Sequence, residues 1–250
     1  MTVEEILEFA NTVDLSLVDE FIERQIKFNT AIAEEGIRGN WGANIGSTLL
    51  SNYPNDIRNE AKAWAAAGSD ARMSGCEMPV VICSGSGNQG MTTSLPVVRY
   101  AKHLGVSHEK MLRAVILSDL VTIHQKSGIG RLSAYCGAIS AGVGAGAGIA
   151  YLLEGTYDAI AHTIVNAVAI LSGTICDGAK PSCAAKIAAA VDAGILGYEM
   201  WKNGDEFKGG DGIVTKGVEN TIRNIGRLAR DGMSETDREI IRIMLEKHDC

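Results

Sequence analysis

Apolar residues recur every three to four positions along most of this chain, the interval at which a helix turns one face inward. Thr2 and Glu5 form a capping-box signature ahead of Ile6, Leu7, Phe9 and Ala10. A second helix is predicted from Asp14 or Ser16, with Val18, Phe21, Ile22, Gln25 and Ile26 on one face and Gly36 as its stop. Gly39 to Gly46 reads as irregular, and Pro54 and Asn55 introduce an alanine-rich helix ending near Gly68. Another helix runs from Gln89 or Gly90 to His103, and Gly105 with Ser107 starts one that ends near Gln125. Further on, the pattern predicts helices over 131–152, 156–174, 181–202, 215–230 and 235–247. Pro181 suits a first helical turn, and Ser234 with Asp237 reads as a cap.

One segment breaks the helical period. Pro79-Val80-Val81-Ile82-Cys83 is short, apolar and β-branched, and reads as a strand. Asn203 to Gly210 reads as a turn or short hairpin. The expected fold is mainly α with a minor β element (α+β), and 1–250 reads as one domain without an internal repeat.

The segment from Ala134 to Leu153 has 20 residues without a charge, enough to cross a bilayer. Five of them are Gly and six Ala, which supply little apolar surface, so a tightly packed internal helix explains it better. Five glycines cost a helix about 4–5 kcal/mol relative to alanine. Close backbone approach must offset this, and Gly142/Gly146 and Gly144/Gly148 have the spacing for it.

Composition narrows the partners. A net charge of −7 without a basic cluster argues against nucleic acid and against an anionic membrane. The acidic start Met1 to Leu7 lacks a signal-peptide layout, and six cysteines then point to a reducing cytoplasm and to metal or cluster binding.

The glycine loop Ser84-Gly85-Ser86-Gly87-Asn88-Gln89-Gly90 satisfies Gly-x-Gly-x-x-Gly between the expected strand and a helix. A nicotinamide-binding reading is the lesser one, because Pro96 falls early in the helix and no second strand with an acidic end follows. A carboxylate site is more economical. Backbone N–H groups at a helix N-terminus bind anions, and Ser84, Ser86, Asn88 and Thr92 add donors. The plainer alternative is a tight turn.

Cys136, Cys176 and Cys183 follow Cys-x39-Cys-x6-Cys, too wide for the common structural zinc sites. The spacing suits an iron–sulfur cluster held by three thiolates. On spacing alone, buried single cysteines acting as small hydrophobes remain the plainer reading. Cys76 and Cys83 repeat the x6 interval and leave a four-thiol zinc site as a minor alternative.

The segments Ser127-Gly128-Ile129-Gly130-Arg131-Leu132-Ser133-Ala134-Tyr135-Cys136-Gly137 and Gly173-Thr174-Ile175-Cys176-Asp177-Gly178-Ala179-Lys180-Pro181-Ser182-Cys183, with the glycine loop, resemble the L-cysteine desulfidase family. That family is related to the iron–sulfur L-serine dehydratases, whose alpha chain is helical, and many members have no known function. The resemblance covers the whole chain but only the later part of a longer family protein, without its N-terminal portion.

The resemblance implies a 4Fe-4S cluster on Cys136, Cys176 and Cys183, with one iron open to substrate. It implies β-elimination of L-cysteine to sulfide, pyruvate and ammonia, with L-serine dehydration ranked second. Such a step removes a Cα proton and expels a group from Cβ, which a Lewis-acidic iron eases. Ser84, Ser86, Gly87, Asn88, Gln89 and Thr92 are the expected substrate-binding residues, and His124 and Lys126 the local candidates for the base. Cys250 is a further candidate ligand at the chain's end. The expected partners are a small amino acid and either a second copy of the chain or a separate N-terminal polypeptide. A non-catalytic fragment or partner subunit is the remaining alternative.

Overall fold

The computed structural model describes residues 1–130 and 133–246. Arg131 and Leu132 of the first cysteine segment, the ends of two expected helices and Cys250 lie outside these residues.

The described residues form eleven α-helices. The first is α1 (Val3–Thr12), opened by the expected capping box between Thr2 and Glu5. A 3₁₀ turn at Leu15–Leu17 leads into α2 (Asp19–Arg38). Gly36 does not stop that helix. A Cβ there would lie 2.0 Å from the Ala67 carbonyl oxygen, so the glycine lets α2 approach α4 (Ile57–Met73) closely. Gly68 plays the same part within α4, where a Cβ would meet the Met91 sulfur at 2.5 Å. The short helix α3 (Ile45–Asn52) follows the irregular stretch, entered through a left-handed Asn44.

No β-strand occurs among the described residues, only isolated bridges at Cys83–Ser86 and Tyr135–Ile175. The expected strand at Pro79 to Cys83 finds no partner strand among the described residues. Instead the buried Asn29 of α2 supplies the missing hydrogen bonds. Its Oδ1 accepts from Val81 N–H at 2.9 Å, and its Nδ2 donates to Val81 O at 3.3 Å. A side-chain amide here does what a neighbouring strand would do. The dinucleotide fingerprint therefore has no sheet to belong to.

Helix α7 (Gly137–Leu153) is the axis of the molecule, buried at every residue from Ala138 to Leu152. Around it lie α5 (Gly87–Leu104), α6 (His108–Ile129), α8 (Tyr157–Leu171) and α9 (Ser182–Lys202). Its two glycine pairs face different neighbours. A Cβ on Gly142 would lie 2.4 Å from the Ala190 backbone, and one on Gly146 would lie 2.7 Å from Gly194 Cα, both in α9. On the other side a Cβ on Gly144 would lie 2.1 Å from Thr122 Oγ1, and one on Gly148 would lie 3.0 Å from the Ala114 carbonyl oxygen, both in α6. Dispersion between closely packed backbones thus offsets the poor helix propensity of glycine. No described helix is long and apolar enough to cross a membrane.

Helix α10 (Val218–Arg227) continues through a π-helical turn at Leu228–Gly232 into α11 (Ser234–Leu245). Met233 rather than Ser234 takes the N-cap position of α11, and no side chain caps it.

Candidate functional site

Two sequence segments separated by the α7–α8 hairpin return to the same place. Cys136 N–H donates to Thr174 O at 3.1 Å, and Cys176 N–H donates to Ala134 O at 2.6 Å, on either side of the Tyr135–Ile175 bridge. This pairing places two cysteines beside each other at the mouth of α7, whose N-cap residue is Cys136. Cys183 enters from a third direction, in the first turn of α9.

All three cysteines line one cavity of about 280 Å³. Lys126 lines it from the last turn of α6, and Ser86, Asn88 and Gln89 from the start of α5. Three helix N-termini, those of α5, α7 and α9, contribute to its wall, and each carries partial positive charge toward it. The setting favours negative charge.

The glycine loop reaches the cavity by a tight reversal. Ser84 and Gly85 both have positive φ (52° and 114°), which closes the Cys83–Ser86 bridge. Ser86 then caps α5, its Oγ accepting from Gln89 N–H at 3.1 Å. Gly90 is needed for close packing, because a Cβ there would lie 2.0 Å from Val81 O.

Electrostatics inside the cavity are unequal. Burial lowers the ammonium pKa of Lys126, while thiolates at Cys176 and Cys136 raise it again. Lys126 has no carboxylate partner among the described residues. The thiols of Cys136 and Cys176 share a hydrogen bond, which pulls Cys176 down and pushes Cys136 up, and burial adds to the rise at Cys136. Gly178 N–H and the ammonium groups of Lys186 and Lys126 further favour the Cys176 thiolate. Lys186 is fixed for this by bonds to Ile175 O at 2.9 Å and Asp177 Oδ1 at 2.6 Å.

The other expected residues lie elsewhere. His124 turns away from the cavity, its Nε2 lying 2.8 Å from Glu219 Oε2 of α10. Glu219 also accepts from Val3 N–H at 2.7 Å, so this contact joins three helices. Thr92 is buried, and its hydroxyl donates to Asn88 O at 2.7 Å. Ser84 lines a separate apolar cavity with Phe21 and Ile82. Cys83 is buried beside that second cavity, its Sγ donating to Asp119 O at 3.8 Å. Gly87 stands against Arg72, a cavity residue that periodicity gave no reason to select. Tyr135 is a second such residue, fully buried with no hydrogen-bond partner for its hydroxyl among the described residues.

Among the described residues, no three His, Cys, Asp or Glu side chains stand close enough to hold a single metal ion. The four-thiol zinc alternative therefore has no site here. A donor set made only of sulfur, spread around a cavity, suits an iron–sulfur cluster better, since its thiolates attach to different irons. The Tyr135 hydroxyl and Gln89 Oε1, on two residues that line the same cavity, are buried without a hydrogen-bond partner among the described residues.

A mainly helical protein with a cysteine-lined cavity at converging helix N-termini is thus defined. The chain belongs to the serine dehydratase alpha chain family, whose model matches residues 1–242. It is similar to the UPF0597 protein DSY1109 of Desulfitobacterium hafniense (strain Y51), 64% identical over 99% of this chain and 57% of that protein. A UPF0597 protein of Lachnoclostridium phytofermentans is 57% identical, with 98% of this chain and 59% of that one covered. A UPF0597 protein of Finegoldia magna is 52% identical, covering 99% and 59%. The chain thus spans 57–59% of the length of these relatives. No solved structure matches it.

Proposed function

We propose that the chain carries the cluster-binding part of an iron–sulfur-dependent lyase that β-eliminates L-cysteine to sulfide, pyruvate and ammonia. The observation that carries this reading is the meeting of Cys136, Cys176, Cys183 and Lys126 in one cavity. Cys136, Cys176 and Cys183 would hold a 4Fe-4S cluster. When bound, the cluster supplies a Lewis acid for the group leaving Cβ.

The chain's own residues account for the rest of the chemistry. Lys126 is the base of this reading, because burial without a carboxylate partner favours its neutral amine. Removing a Cα proton leaves negative charge on the substrate, and the N-termini of α5 and α7 oppose that charge. The enamine released after elimination tautomerises and hydrolyses in water.

The family description favours L-serine as a second substrate, since a hydroxyl can leave in place of a thiol. The greater length of the relatives favours a further polypeptide segment completing the reaction. Anaerobic purification, with iron and acid-labile sulfide quantified, tests the cluster. Sulfide and pyruvate are then assayed from L-cysteine, and pyruvate from L-serine, with and without the remaining segment of a longer relative. A chain that takes up no iron under reconstitution, or whose iron survives Cys176→Ser unchanged, overturns the reading.

A further inference from the structure

We infer that Arg72 and the N-terminus of α5 form a subsite for the α-carboxylate of a small amino acid, inside the cavity shared by the three thiols. The inference rests on the amino-acid reading above and adds the group that selects the substrate's acid end. Arg72 occupies the last turn of α4 and lines the cavity. Its Nη1 donates to Asn88 Oδ1 at 3.2 Å, and a Cβ on Gly87 would lie 2.7 Å from its Nε. The guanidinium is thereby held against the first turn of α5.

That placement is unfavourable on its own. A helix N-terminus carries partial positive charge and repels a cation beside it. Arg72 has no carboxylate partner among the described residues, and its hydrogen bond to Asn88 leaves most of its five donors free. An anion between the guanidinium and the α5 amides is attracted by both. A planar carboxylate fits the guanidinium fork.

A second observation narrows the anion to an amino acid. Tyr135, 1% exposed, lines the same cavity and its hydroxyl has no partner among the described residues. Gln89 Oε1, on the first turn of α5, is also without one. Fully deprotonated anions such as sulfate offer an amide oxygen nothing, whereas the ammonium group of an amino acid donates to it. Glycine at 87 is the sequence cost of this device, since any side chain there would displace both Arg72 and Val80.

The test is calorimetric binding of L-alanine, which has no leaving group, and of ethylamine, which lacks the carboxylate, to the full reconstituted chain. L-alanine is expected to bind, and ethylamine at least tenfold more weakly. Arg72→Gln should weaken L-alanine by about 10- to 100-fold, the range of a charged hydrogen bond, with iron content unchanged. Arg72→Lys, which keeps the charge and most of the stem, should recover part of the loss and guards against a folding artefact. Wild-type affinity for L-alanine in Arg72→Gln, or no binding by the wild type, overturns the inference. Loss of iron in Arg72→Gln also overturns it, by assigning Arg72 to the cluster. A wild-type chain without iron that still binds L-alanine through Arg72 would instead sink the lyase reading alone.

Discussion

Cys136 and Cys176 are neighbours because their backbones flank a single antiparallel bridge, with Cys136 N–H on Thr174 O and Cys176 N–H on Ala134 O. The bridge does not treat them equally. Cys136 stays buried as the donor of their shared hydrogen bond, and Cys176 receives it together with the field of Lys186 and Lys126. In the cluster-free chain at neutral pH, Cys176 should therefore react with iodoacetamide at least tenfold faster than Cys83, whose thiol is pushed up by burial and by Asp119. Peptide mass spectrometry over a time course reads the order directly. Lys186→Met should slow Cys176 and leave Cys83 as it was. Equal rates at the two cysteines would show that the thiolate is not stabilised.

The axis of the fold makes a separate claim about stability. Gly146 faces Gly194 so closely that a new methyl group meets backbone, which cannot rotate away. Gly146→Ala should cost about 1–3 kcal/mol in urea unfolding, as overpacked cores do. Gly173 is the control, because nothing lies within 4 Å of a Cβ there. Gly173→Ala should stay within about 0.5 kcal/mol of wild type. A Gly146→Ala protein as stable as wild type or more so would mean that alanine's better helix propensity, not backbone contact, decides the outcome at α7.

Much of this architecture was legible in the sequence, and what was not has a common physical cause. The helices declared themselves by period, and the small-residue pairs of α7 correctly announced close packing. Gly36 looked like a helix stop because a local reading cannot see Ala67 waiting 31 positions away. Pro79 to Cys83 has every local mark of a strand, but a strand needs a neighbouring strand to pair with, and Asn29 bonds the backbone where that neighbour would be. The cysteines could be chosen from spacing and resemblance. Arg72, Tyr135 and Lys186 could not, since each gains its meaning from a neighbour brought in by the fold rather than by sequence.

His124 and Lys126 are two residues apart on α6, and their surroundings assign them different work. His124 bonds Glu219, which also holds Val3 N–H, so it fastens α1 and α10 to α6. His124→Ala should destabilise the chain by about 1–2 kcal/mol, and a cycle with Glu219→Gln should show coupling. Iron content and amino-acid binding should not change. Lys126→Met should do the reverse, leaving stability equal or higher because a buried amine without a carboxylate partner gives way to an apolar side chain. In the reading proposed above it should also lower turnover by about 100-fold or more. Activity lost on His124→Ala with stability intact would move the base to the histidine.

Asp119 lies behind the candidate site, in a buried network rather than in the cavity. Its Oδ1 accepts from the Thr93 hydroxyl at 2.6 Å and from Gln25 Nε2 at 3.1 Å. Burial pushes this carboxyl up to about 6 against the pull of those donors. A carboxyl whose folded pKa exceeds its unfolded value binds more protons when folded, so stability falls as pH rises from about 4 to about 6. Two units correspond to on the order of 3 kcal/mol, fully lost above about pH 6. Asn at 119 keeps an oxygen for both donors and carries no charge to bury. Asp119→Asn should therefore match wild type near pH 4 and exceed it by on the order of 3 kcal/mol at neutral pH, measured by urea unfolding at several pH values. A difference that does not grow across that window would mean the carboxyl ionises as readily inside the protein as outside. The Thr93 and Gln25 donors would then offset the cost of burying the charge, and Asp119→Asn should hold the same stability relative to wild type at pH 4 and at neutral pH.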